Sequence, residues 1–335
     1  MSNKYEIPEH ERTAFEIAVS ALAGQRAPIP TVERITVCEA IEPDTRQFDG
    51  LLQIADRYAA LTRPLPLAGA EALTPQRNGD LAITAHLRAE MPWLAQAIDL
   101  IDEQLRAQLW AGRPWVGFRP LLLVGPPGAG KSHLAGLLAT RAGTGHAIVS
   151  MAGMYDASLL TGAPRSYTSP SPSFPAVAMC QTGTANPILV GDELDKVATD
   201  RRMGDPLAAL LTLIEPITAH ANYDKCLLAK CDVSHASWLF TANTLEGLSA
   251  PLRSRLDIVV VEGPGEADFD VLLASLMRDL ASKWRVSPTE LPYLARGAED
   301  VLRQRFARSR SVRGLKRDLH AAMAVGLRHS VRVLQ

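Results

Sequence analysis

The sequence predicts an α/β protein, a parallel sheet between helices followed by a helical domain. Three observations carry this. Five short strand-like runs, Leu121–Val124, His146–Ser150, Ile188–Val190, Trp238–Thr241 and Ile258–Val261, alternate with helical patterns. That order places crossover helices on the faces of a parallel sheet. The first run passes into a Gly-rich turn and then a helix. Beyond Gly263-Pro264 the strand signals stop, and residues 266–335 read as about four helices.

Composition sets the bounds. At 335 residues the chain holds about two domains, at ~150 residues each. With 47% apolar and 21% charged residues it can bury a core, which excludes disordered, collagen and coiled-coil classes. Lys+Arg is 35 and Asp+Glu is 36, so net charge predicts neither a nucleic-acid binder nor a membrane-surface protein. No apolar run approaches the ~20 residues a membrane span needs, and no signal-peptide segment follows the polar N-terminus. The expected location is the cytoplasm. Four cysteines, Cys38, Cys180, Cys226 and Cys231, form no CxxC pair, so reduced thiols are expected.

Residues 1–80 read as an N-terminal helical region of unknown role, with helical patterns at 11–22 and 48–61 separated by Pro-rich joints. Residues 81–117 read as a linker helix: Leu87, Met91, Leu94, Ile98, Ile101, Leu105 and Leu109 recur at helical spacing, with Pro92 expected to kink or restart it. Residues 118–264 form the α/β core. Leu121–Val124 is apolar throughout and bounded by Pro and Gly, as for a strand buried on both faces. Lys131–Leu138 follows as a helix, and Ala163–Pro175 is a Ser/Pro-rich loop. Pro206–Ile214 is a helix with Asp205 as N-cap and Pro206 at its first position. Residues 265–335 make the second, helical domain.

Three motifs carry chemistry. Gly125-Pro126-Pro127-Gly128-Ala129-Gly130-Lys131-Ser132 matches G-x-x-x-x-G-K-[ST] in full, after a strand and before a helix. Its glycines let backbone N–H groups wrap phosphates, and the helix N-terminus adds its positive dipole end. Lys131 reaches the outer phosphates and the Ser132 hydroxyl takes one Mg²⁺ position. With His133, which opens the helix, residues 125–133 form the candidate ATP-binding segment. Second, Ile188-Leu-Val-Gly-Asp192-Glu193 ends an apolar strand in two carboxylates. Asp192 can hold Mg²⁺, and Glu193 can orient the attacking water. Third, Trp238-Leu-Phe-Thr-Ala-Asn243 ends another buried strand in a polar residue able to bond the water or the γ-phosphate.

With these motifs the sequence resembles the AAA+ ATPases, and specifically the ATPase module of the Lon family, from about Glu90 to Val333. Asn186–Lys196 resembles the Walker B region of Lon, and Gly204–Leu211 the helix that follows it. Asn222–Ser234 is similar to the hairpin before sensor 1, Leu239–Asn243 to sensor 1, and Leu248–Leu256 to the segment ending in the arginine finger. Ser311-Val-Arg-Gly-Leu-Lys-Arg317 resembles sensor 2 of the lid. The resemblance implies a P-loop AAA+ core of five parallel strands with a helical lid, ATP and Mg²⁺ as ligands, and a ring oligomer, a hexamer. It places Arg255 at the finger that reaches a neighbouring subunit's γ-phosphate, with Arg253 a second candidate, and Arg313 at sensor 2. Glu193, Asn243, Arg255 and Arg313 are then the catalytic set.

Two departures qualify the resemblance. The chain ends about twenty residues after the sensor 2 motif, leaving no room for Lon's peptidase domain, so an ATPase without intrinsic peptidase is expected. Where Lon carries an aromatic–aliphatic pair in its pore loop, this chain reads Leu159-Leu160-Thr161-Gly162-Ala163, with Tyr167 nearby. The basic C-terminal segment, Arg303 to Arg332 against the single acid Asp318, is read as a lid facing ATP and a neighbouring subunit rather than as a nucleic-acid patch. The expectation is therefore a protein-remodelling ATPase without a membrane segment. A nucleic-acid-directed ATPase of mobile-element or defence type and a nucleotide-gated assembly switch are the other readings left open.

Overall fold

The structure, a computed structural model, describes residues 32–43, 54–198, 204–294 and 297–333. The helical pattern at 11–22 and the first part of the one at 48–61 lie outside the described residues. The strands in chain order are β1 (Arg34–Ile35), β2 (Leu65–Pro66), β3 (Leu121–Val124), β4 (His146–Ser150), β5 (Ile188–Asp192), β6 (Asn222–Asp224), β7 (Ala229–Cys231), β8 (Ser237–Ala242) and β9 (Asp257–Val260).

Five of these form the main sheet in the order β4-β5-β8-β3-β9, with every neighbouring pair parallel. The first strand of this sheet, β3, is thus interior, beside the central strand β8, which is the fourth in sequence. Strands β3 and β8 are buried at every position, while the edge strands β4 and β9 are half-exposed. This is why the central strands read as continuous apolar runs. The two-residue period divides their side chains between two cores. Leu122, Val124, Trp238 and Phe240 enter one, in which the Trp238 and Phe240 rings stack at 5.4 Å. Leu121, Leu123, Val190 and Leu239 enter the other, beneath helices Ala95–Trp110 and Lys131–Ala142.

Helix limits follow local chemistry. Helix Ala82–Glu90 ends before Pro92, a short 3₁₀ turn spans Pro92–Leu94, and a new helix runs from Ala95 to Trp110. The Asp205 carboxylate caps helix Pro206–Ile214 by accepting from the Leu207 and Ala208 amides at 2.9 and 3.4 Å. Beyond the sheet, the described residues hold three long helices, Phe269–Trp284, Ala298–Ser309 and Val312–Val333. The expected fourth is the 3₁₀ turn Pro288–Glu290, which Ser287 and Glu290 cap reciprocally and which stops before Pro292. Phe269 and Phe306, 6.0 Å apart, centre this separate apolar cluster.

Two readings of the sequence are corrected, and the burial of one leucine is added. The described residues from Arg34 to Asp80 are not a separate helical body. They hold the antiparallel β1–β2 pair and short helical turns, and Val37, Tyr58, Leu61 and Leu65 fill the same core as Trp238. Buried Asn186 ties this segment down: its Nδ2 donates to the Ala68 carbonyl at 2.9 Å and its Oδ1 accepts from the Ala68 amide at 2.8 Å. The thiols are not all reduced, since Cys38 and Cys231 form a disulfide with Cα atoms 4.6 Å apart. Leu160 is fully buried in the Trp238 core, so it has no surface with which to grip a substrate. Leu159 and Tyr167 are the large side chains exposed in that stretch.

Candidate functional site

The phosphate loop leaves β3 at Val124 and joins helix Lys131–Ala142. Gly128 and Gly130 adopt φ of +86° and +97°, values that a side chain strains. At Gly125 the constraint is space, because a Cβ there would meet the Val261 carbonyl at 2.1 Å. Pro126 and Pro127 are exposed at the loop's outer edge, and His133 is exposed one residue beyond Ser132. Ala129 is buried.

Lys131 is 7% exposed. Its Nζ donates to the Gly125 carbonyl at 2.6 Å, the Pro126 carbonyl at 3.0 Å and the Asn243 Oδ1 at 3.2 Å. Burial pushes its pKa below the usual lysine value, against the pull of the Asp195, Asp192 and Glu193 carboxylates, while the Arg313 guanidinium pushes it further down. Ser132 Oγ donates to Asp192 Oδ1 at 2.8 Å. Residues from the ends of β3, β5 and β8 therefore meet at the carboxyl edge of the sheet, where the strand order reverses and open α/β folds bind ligands.

Thr241 completes this junction, and the sequence reading did not single it out. Its hydroxyl donates to Asp192 Oδ1 and accepts the Glu193 amide at 3.1 Å. Glu193 sits at φ 60° and ψ 49°, a left-handed conformation uncommon for a residue with a side chain. Its carboxylate pairs with Lys196, which raises the Lys196 pKa. Asp195 Oδ1 is buried without a hydrogen bond, and Asp195 is the carboxylate that pulls most on Lys131. The one sequence signal for Thr241 is a hydroxyl inside an otherwise apolar strand.

The three arginine candidates differ. Arg313 is exposed near the start of helix Val312–Val333. It lines a basic hollow of about 530 Å³ with Arg305, Arg308 and Arg317. Arg255 is engaged with its own chain: its Nε donates to Glu215 Oε2 at 2.9 Å and its Nη1 to the Pro251 carbonyl at 3.1 Å. Arg253 is exposed at the end of helix Ala250–Arg253.

The donor set fits ATP with Mg²⁺. A loop with two positive-φ glycines surrounds a buried ammonium, and a hydroxyl and a carboxylate lie beside it as hard oxygen ligands.

Comparison with known proteins agrees with this geometry. Residues 121–263 match the ATPase family associated with various cellular activities (AAA). The match spans the α/β core of five parallel strands, and a helical part follows it. Within that class, the chain resembles the ATPase region of Lon. It is 34% identical over 199 residues to Lon protease 2 of Desulfotalea psychrophila, covering 59% of this chain and 26% of that protein. The Lon protease of Frankia alni is 35% identical over 201 residues, 58% of this chain and 23% of its own length. That of Desulfovibrio desulfuricans is 38% identical over 143 residues, 43% of this chain and 16% of its own length. The matched region is thus about a quarter or less of these relatives.

Proposed function

We propose that this chain binds ATP at the loop 125–133 and hydrolyses it, working as a ring oligomer, a hexamer, that remodels a protein substrate or partner. The observation that carries the reading is the meeting of Lys131 with Asn243 and of Ser132 with Asp192 at adjacent strand ends. Lys131 and the loop amides would bind the β- and γ-phosphates. Ser132 and Asp192 would hold Mg²⁺, which supplies charge neutralisation on the phosphate oxygens. Glu193 would turn from Lys196 to orient the attacking water, and Asn243 would fix that water or the γ-phosphate. Arg313 would meet the phosphates from the lid side. Arg255 would serve the neighbouring subunit's site, released from or held out by Glu215. The likeness to Lon supports a partner of protein kind.

The test is nucleotide binding. Lys131→Ala should lose ATP binding in equilibrium dialysis, whereas the parent binds. Equal affinity in the two proteins would contradict the assignment.

A further inference from the structure

Pro92 ends one helix and forces the turn Pro92–Leu94 before the next begins. That turn presents Trp93 to the phosphate loop. Its indole Nε1–H donates to the Ala129 carbonyl at 3.0 Å. The next loop residue is Gly130, where a Cβ would lie 2.6 Å from Met91 Cε and 3.6 Å from Trp93 Nε1. The corner thus covers the two loop residues that precede Lys131. The same Trp93 ring packs against two apolar clusters, the sheet core around Leu121 and the helical cluster around Phe269. Three residues earlier, Glu90 pairs with Arg278 of helix Phe269–Trp284.

A trans peptide points its C=O and N–H in opposite directions. A donor that holds the Ala129 carbonyl therefore aims the Gly130 N–H the other way, and a phosphate-cradling loop depends on the aim of such N–H groups. The geometry points to Trp93 as a positioning residue: it sets the 129–130 peptide for phosphate binding and ties that setting to the lid. This rests on the ATP-binding reading above. It adds a residue outside every motif, and a mechanical link by which an occupied loop is felt by the helical domain.

Trp93→Phe keeps an aromatic ring in place and removes the donor, with a smaller packed area. In the full chain it should raise the Kd for ADP and the KM for ATP by about 3–10-fold, the usual worth of one hydrogen bond. The kcat should stay within about two-fold, since the chemistry is untouched. The parent's tryptophan emission should shift on ADP addition, and that shift should be lost in Trp93→Phe although four of the five tryptophans remain. An unchanged Kd in a folded Trp93→Phe protein would overturn the proposal, as would a parent that binds ADP with no change in emission. A parent that binds no nucleotide would overturn the ATP reading and this one together, so the two failures are distinguishable.

Discussion

At Glu193 the backbone itself is constrained. A non-glycine residue at φ 60° costs on the order of 1–3 kcal/mol, and such strain persists only where the surroundings hold it. Thr241 is what holds it, accepting the Glu193 amide at 3.1 Å while donating to Asp192. One hydroxyl therefore bonds both residues that the proposed hydrolysis uses, Asp192 through its carboxylate and Glu193 through its amide. Thr241→Val has nearly the same shape and neither bond. It leaves a part-buried amide unpaired, which costs about 1–3 kcal/mol of stability. It should lower kcat at least about ten-fold with a smaller effect on the KM for ATP, and Thr241→Ser should restore most of the rate. Steady-state kinetics of the two variants beside the parent decide it, and a Thr241→Val protein with parental kcat would show that the strand's hydroxyl has no part in turnover.

Among the elements, residues 34–43 form a strap over the hairpin of β6 and β7. Val37 accepts the Asp232 amide at 2.8 Å, the Glu42 amide donates to Leu227 at 3.2 Å, and Arg165 Nη2 donates to the Glu42 carbonyl at 2.6 Å. The Cys38–Cys231 disulfide locks this arrangement across 193 residues of sequence. Unfolding without reductant should therefore expose two reactive thiols rather than four. Cys38→Ser should lower the unfolding free energy by about 2–4 kcal/mol, measured by urea titration. Four reactive thiols in the unreduced protein would remove the covalent lock. This pairing was not legible in the sequence, because nothing local links Cys38 to Cys231. What was legible is local: Asp205-Pro206 as a helix start, Pro92 as a break and β3 as a buried strand all rest on residues within a few positions of each other. The site divides the same way. Lys131, Ser132, Asp192 and Asn243 stand in recognisable short motifs. Thr241 hides inside an apolar run, and Trp93 acts from 36 residues before Ala129. The run Leu159-Leu160 carries no signal for which leucine faces out, and the structure leaves Leu159 at the surface and Leu160 in the core.

For the whole molecule, the proposed function has an arginine of one chain complete the site of another. Arg255 is half-exposed and engaged with Glu215 of its own chain, not with Lys131 or Asp192. Arg255→Ala should therefore be inactive alone, with a loss of about 10³–10⁵ in rate for a finger supplied in trans. Mixed with Lys131→Ala it should regain part of the hydrolysis, because some interfaces then join an intact loop to an intact finger. No recovery, in mixtures shown to exchange subunits, would transfer the role to Arg253 or argue for an enzyme that works as a single chain. Among the described residues no helix is long and apolar enough to cross a membrane.

Phosphate release from ATP by Glu193→Gln, measured beside the parent with bound nucleotide quantified in both, tests the central claim most directly. Gln keeps the size of the side chain and the loop that binds phosphate, but cannot act as a carboxylate toward water. The account predicts ATP affinity within a few-fold of the parent and turnover reduced by about 10²–10⁴, the contribution of a positioned general base. Parental turnover in Glu193→Gln would contradict it, since the hydrolytic water would then be activated somewhere other than at the end of β5.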